Sequence, residues 1–104
     1  MNDYVYLYYL WNNITEKVTC TDDHEFFCKW FSNLDHRTVA KTQTDTVTVL
    51  TFALGMNYDV LAPEPIIFET MIVKDGLTYL DYQERYATHR EALRGHKKAV
   101  KQFT

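Results

Sequence analysis

Two stretches of the chain, TVTVLTFALG at 46–55 and PIIFETMIV at 65–73, change character at every second residue. In the first, Val47, Val49 and Thr51 alternate with Thr48, Leu50 and Phe52; in the second, Ile67, Glu69, Met71 and Val73 share one side. A period of two is that of an extended strand whose faces meet different surroundings. Strands must pair to satisfy their backbone N–H and C=O groups, so these two runs commit the chain to a sheet.

Further strands read the same way. YVYLYYLW at 4–11 alternates Tyr4, Tyr6 and Tyr8 against Val5, Leu7, Tyr9 and Trp11, and ITEKVTC at 14–20 returns as its hairpin partner across Asn12-Asn13. RTVAKT precedes a turn at Gln43-Thr44-Asp45, and KDG at 74–76 turns the chain into a weaker strand, LTYLDY at 77–82. At 21–25, TDDHE switches the period: Asp22 is an N-cap and Glu25 completes a capping box. Phe26, Phe27, Trp30, Phe31 and Leu34 then follow at helical spacing, up to a terminus near Asn33 and Asp35. The expected fold is one α+β domain over residues 1–104, a mainly antiparallel sheet of five to six strands with two packed helices.

The stretch DYQERYATHREALRGH at 81–96 gathers two glutamates, three arginines and two histidines, and looks at first like a catalytic cluster. Most of it is helix punctuation. Thr88 and Glu91 form a capping box, after which Ala92, Leu93, His96, Ala99, Val100 and Phe103 fall on one face. Arg90, Arg94, Lys97, Lys98 and Lys101 take the other face. Charge is uneven along the chain: residues 85–104 carry a net +5, against −8 for residues 1–84. Such asymmetry fits a polyanion-facing end, an acidic body that mimics nucleic acid, or a solvated helix face.

Three glycines leave no phosphate-cradling loop, so nucleotide chemistry of the P-loop kind is excluded. Cys20, His24 and Cys28 lie four apart, but a structural zinc site needs a fourth ligand and the chain offers no second pair; no metal and no cofactor is expected. His96 within the apolar stripe reads as a hydrogen-bonded core group, and His89 as solvated. Glu69, on the inner side of a strand, needs a partner, for which Arg85 or the Tyr86 hydroxyl is suited. The loop GMNYDVLAPEP at 55–65 holds both prolines and an exposed Tyr58, the first place to look for function on a loop. Any residual active site would consist of Glu69, Arg85 and His96 around Tyr58, but no nucleophile–base–orienter order accompanies it, so no catalysis is expected. The tyrosine row Tyr4, Tyr6 and Tyr8 is suited to stacking bases or anchoring a protein. The start, MNDYVYLYYLW, lacks a basic leader and is too short to span a bilayer. Reduced thiols and a cytoplasmic setting are therefore expected, with no membrane partner.

FETMIV and YQERYATHREALRGH together resemble a family of small phage and prophage proteins of unassigned function. Members show a strand of the form PLIFETMVF, a short variable turn, and ERYAT-x-EEAL-x-GH opening the last helix. RTVAKT and FALG fit as well, so the resemblance covers roughly residues 35–100. Glu69, Arg85, Tyr86, Thr88 and His96 match its pattern, whereas Met56, Asn57 and Tyr58 stand where relatives carry an Asp-His pair and more glycine. The resemblance implies an accessory protein working inside a bacterial host cell, with neither activity nor cofactor attached. Two binding roles follow. In one, the acidic body and its tyrosines block a host protein or defence complex, in the manner of an anti-CRISPR protein. In the other, Arg90, Arg94 and Lys98 hold the phosphates of a nucleotide immune signal while tyrosines stack on its base. A nucleic-acid-associated role is a third, and self-association into a homodimer is compatible with each.

Overall fold

The computed structural model describes residues 8–104. The tyrosine row therefore enters only through Tyr8; Tyr4 and Tyr6 lie outside the described residues. In chain order the elements are β1 (Tyr8–Asn12), β2 (Lys17–Thr21), α1 (His24–Phe31), α2 (Leu34–Arg37), β3 (Thr38–Gln43), β4 (Val47–Ala53), β5 (Phe68–Lys74), β6 (Leu77–Tyr86) and α3 (His89–Phe103). The architecture is α+β, with six antiparallel strands and three helices among the described residues.

The strands divide into two sheets, a hairpin β1-β2 and a four-stranded meander in the order β3-β4-β5-β6. Leu10 and Trp11, neighbours in β1, are both buried, so this strand is covered on both sides instead of presenting one inner face. The backbone N–H of Tyr9 donates to the carbonyl of Gly55 at 2.8 Å and ties the hairpin to the main sheet. Asn12-Asn13 is not the left-handed pair of a two-residue turn. The loop is longer, Asn12 Oδ1 accepts from the amides of Ile14 and Thr15, and the positive φ of 56° falls on Glu16. The turn between β5 and β6 has the expected form: Asp75 and Gly76, at φ 52° and 79°, are the two left-handed residues that match the twist of the strands.

Helix α1 begins one residue later than the capping box implied. Asp23, not Asp22, is the N-cap, its carboxylate accepting from the Phe26 amide at 3.0 Å. Of the aromatic stripe only Phe27 is buried; Phe26 is exposed on α1, and Leu34 is exposed because the helix ends at Phe31 and a separate turn, α2, capped by Asn33, follows. Arg37, closing α2, donates through Nε to the Ala53 carbonyl at 3.0 Å and lies 3.9 Å from the centre of the Phe31 ring.

Helix α3 packs on one face of the meander. Thr88 caps it, accepting from the Glu91 amide at 3.1 Å and donating its hydroxyl to the Glu91 carboxylate at 2.9 Å. Beneath the helix lie two apolar clusters. Trp11, Ala53, Ile67, Phe68 and Ala92 form one; Val47, Val49, Ile72 and Ala99 form the other. Burying a side chain such as Phe68 or Ile72 contributes roughly 1.5–3 kcal/mol. Between the clusters runs a polar chain. Tyr86 donates to Thr70 at 3.1 Å, the Thr70 and Thr51 hydroxyls are hydrogen-bonded at 2.6 Å, and Thr51 and Thr42 reach the two ring nitrogens of His96 at 2.8 and 3.0 Å. With Nε2 protonated and Nδ1 accepting, the inner hydroxyls each donate once and accept once, which is what a buried polar group requires. Gly95 faces Tyr86 so closely that any Cβ there would collide with the phenol oxygen. Among the described residues no helix is long and apolar enough to cross a membrane.

Candidate functional site

On the opposite face of the sheet, Arg37 of α2 reaches over Phe52, and the loop between β4 and β5 folds over β5 and β6. Glu69 stands directly across from Arg85 in the antiparallel register, and strand alternation sends both to the side away from α3. The Arg85 Nε–H donates to Glu69 Oε1 at 2.8 Å, with Glu69 only 9% exposed. The guanidinium also reaches Gln83 Oε1 at 3.4 Å, and its Cζ lies 3.9 Å from the centre of the Tyr58 ring. The Tyr86 hydroxyl is not a partner of Glu69; it turns to the other face and binds Thr70.

The loop that brings Tyr58 here is built by its own short polar side chains. Asn57 Oδ1 accepts from the amides of Asp59 and Ile66, both at 3.0 Å, and so clasps the two limbs together. Asp59 Oδ1 accepts from Leu61, and the Tyr58 amide donates to the Ile66 carbonyl at 2.9 Å. A cavity of about 500 Å3 results, lined by Tyr58, Asp59, Ile66 and Arg85. Around it the loop displays apolar side chains in water: Tyr58 is 59% exposed, Val60 82% and Leu61 92%, with Met56 exposed beside them. The alternation that flags strands is silent about such a loop. The signal for it was a run of Met, Tyr, Val and Leu between a glycine and two prolines.

Of the residues singled out from the sequence, Tyr58, Glu69 and Arg85 come together and the others do not. Arg90, Arg94 and Lys98 are exposed on α3, across the sheet from the cavity. Tyr8 is half-buried and stacked on Phe27, ring centres 4.0 Å apart, so it belongs to the packing of α1 against the hairpin. His96 cannot complete an acid–base group with Glu69 and Arg85. It is buried on the α3 side, and burial pushes its pKa below the ordinary value. Among the described residues no three of His, Cys, Asp and Glu come together as a metal site.

Chemically, the site offers a guanidinium already neutralised by a carboxylate, an aromatic face, and exposed apolar side chains. These are the components of a protein-contact hot spot more than of an anion trap. No protein-family model matches the chain, and no curated protein or solved structure gives a significant match to it.

Proposed function

We propose that this protein works by binding another protein through the 55–65 loop, and without turnover. The observation that carries the reading is the exposed apolar set Met56, Tyr58, Val60 and Leu61 grouped on a hydrogen-bonded loop. A monomer gains nothing from holding such side chains in water, whereas contact with a partner would bury them, and Tyr58 with Arg85 at the centre fits the aromatic–arginine composition of hot spots. The resemblance of the second half to phage and prophage proteins makes a bacterial host protein, within a defence complex, the partner to look for. The nucleotide-sponge role draws less support. Arg85 is tied to Glu69, and Arg90, Arg94 and Lys98 lie across the sheet from Tyr58, so one nucleotide could not meet both groups.

The test is a pull-down from bacterial lysate with the full chain, reading both retained proteins and heat-released small molecules. A stoichiometric host protein is expected with the parent and with Arg94→Glu, and is expected to be lost with Leu61→Asp. Release of a nucleotide with no retained protein would overturn the reading, as would retention that Leu61→Asp leaves intact.

A further inference from the structure

Where β1 meets α1, beyond the Gly55 end of that loop, three side chains form a line. Cys28 Sγ lies 3.4 Å from Nε2 of His24, one helical turn before it, and Nδ1 of the same imidazole lies 2.7 Å from the Tyr8 hydroxyl. Tyr8 is itself held by its stack on Phe27. This is the order of an activated nucleophile: a thiol within reach of a base, and a base oriented by a third group. With Nδ1–H donating to Tyr8, the lone pair of Nε2 points at the sulfur. Both cysteines are exposed, but among the described contacts Cys20 has no such partner, so the chain carries its own reference thiol.

We infer that Cys28 is a histidine-assisted reactive thiol, a modification site for low-molecular-weight disulfides and soft carbon electrophiles. In exchange with a disulfide RSSR, the Cys28 thiol passes its proton to His24 Nε2 and the sulfur attacks one disulfide sulfur. The Cys28–SR bond forms as the S–S bond breaks, and the departing thiolate takes the proton from the imidazolium to leave as RSH. The exchange conserves oxidation level: the Cys28 sulfur rises from thiol to disulfide as the departing sulfur falls from disulfide to thiol, with RSSR supplying the oxidising equivalent.

The experiment treats the reduced full chain with iodoacetamide and, separately, with oxidised glutathione, and follows mass gain at Cys20 and Cys28 with time under native conditions. Cys28 is expected to react about tenfold or more faster than Cys20 with each reagent, a modest share of what a positioned base supplies. In His24→Asn the Cys28 rate should fall to within about threefold of the Cys20 rate. Tyr8→Phe keeps the ring on Phe27 and removes only the hydroxyl, so it should slow Cys28 with no change at Cys20, and it remains decisive if His24→Asn folds poorly. Equal rates at the two cysteines in the parent, or a Cys28 rate that Tyr8→Phe leaves unchanged, would overturn the inference.

Discussion

Glu69 and His96 are both buried and ionisable, and they answer to opposite rules. Glu69 accepts from the Arg85 Nε–H at 2.8 Å, so Glu69→Gln takes away the carboxylate and leaves a guanidinium partly uncompensated. Because the Arg85 side chain is 30% exposed and water still reaches it, the expected loss is below that of a fully buried pair, about 1–3 kcal/mol, read as a lower thermal midpoint. A variant that melts like the parent would show that the pair is neutral. His96 is instead held neutral: burial lowers its pKa from an ordinary value of 6.5. The folded imidazole then binds a proton less readily than the unfolded one. Its contribution to stability is full above about pH 6.5 and declines as pH falls below it. Protonation would also make both ring nitrogens donors, forcing Thr51 to accept where it now donates. Urea midpoints should accordingly drop more between about pH 7.5 and about pH 5.5 in the parent than in His96→Gln. A parallel decline in the two would remove His96 from the account.

Among the elements, α3 and β6 meet at Gly95 and Tyr86, where helix propensity and packing disagree. An interior glycine weakens a helix by roughly 1 kcal/mol relative to alanine, so Gly95→Ala would stabilise an isolated helix. Here the added methyl would displace the Tyr86 phenol and break its bond to Thr70, and we expect net destabilisation. Tyr86→Phe removes the obstructing oxygen, so Gly95→Ala should cost less in that background; additive effects in the double-mutant cycle would contradict the packing account. Periodicity made β4, β5 and α3 legible, as were the Asp75-Gly76 turn and the Thr88 cap. The second half of β6 was not, because Gln83, Glu84 and Arg85 form a polar run without alternation and are held extended by pairing with β5. The Glu69–Arg85 pair was readable as a need for a partner. Where His96 would lie was not: Glu69 and Thr70 are neighbours facing opposite ways, and only tertiary packing puts α3 on the Thr70 side. Asp22 read as the cap because Glu25 stands three residues on; the structure uses Asp23, whose carboxylate accepts from the Phe26 amide.

For the molecule as a whole, stability depends on joining the hairpin and α1 to the meander, and Gly55 sits at that seam. Its φ of 85° is left-handed, its carbonyl accepts from Tyr9, and a Cβ would stand 2.7 Å from Phe27 and 2.9 Å from Trp30. Gly55→Ala should therefore loosen residues 8–31 more than the four-stranded sheet, seen as faster amide exchange in β1 and α1 at unchanged protection of Ile72 and Val49. Uniform loss of protection would mean that the two parts unfold as one.

Both outer strands of the meander are broken in a way that bears on how the molecule tolerates crowding. Along β3 the pairing skips at Val39, between Thr38 and Ala40; along β6 four residues, Tyr79 to Tyr82, stand opposite Ile72 alone. The surplus swings Tyr79 and Tyr82 edge-on against Phe103, at 5.7 and 5.0 Å between ring centres. A straight row of free amides and carbonyls is a template on which a second chain can crystallise strand by strand, and an interrupted row is a poor one. Neither rim of this sheet offers an unbroken template, so fibre growth, strand exchange and capture of an extended peptide are all discouraged at the same two margins. At these two margins, backbone pairing with a second chain is disfavoured relative to side-chain contact.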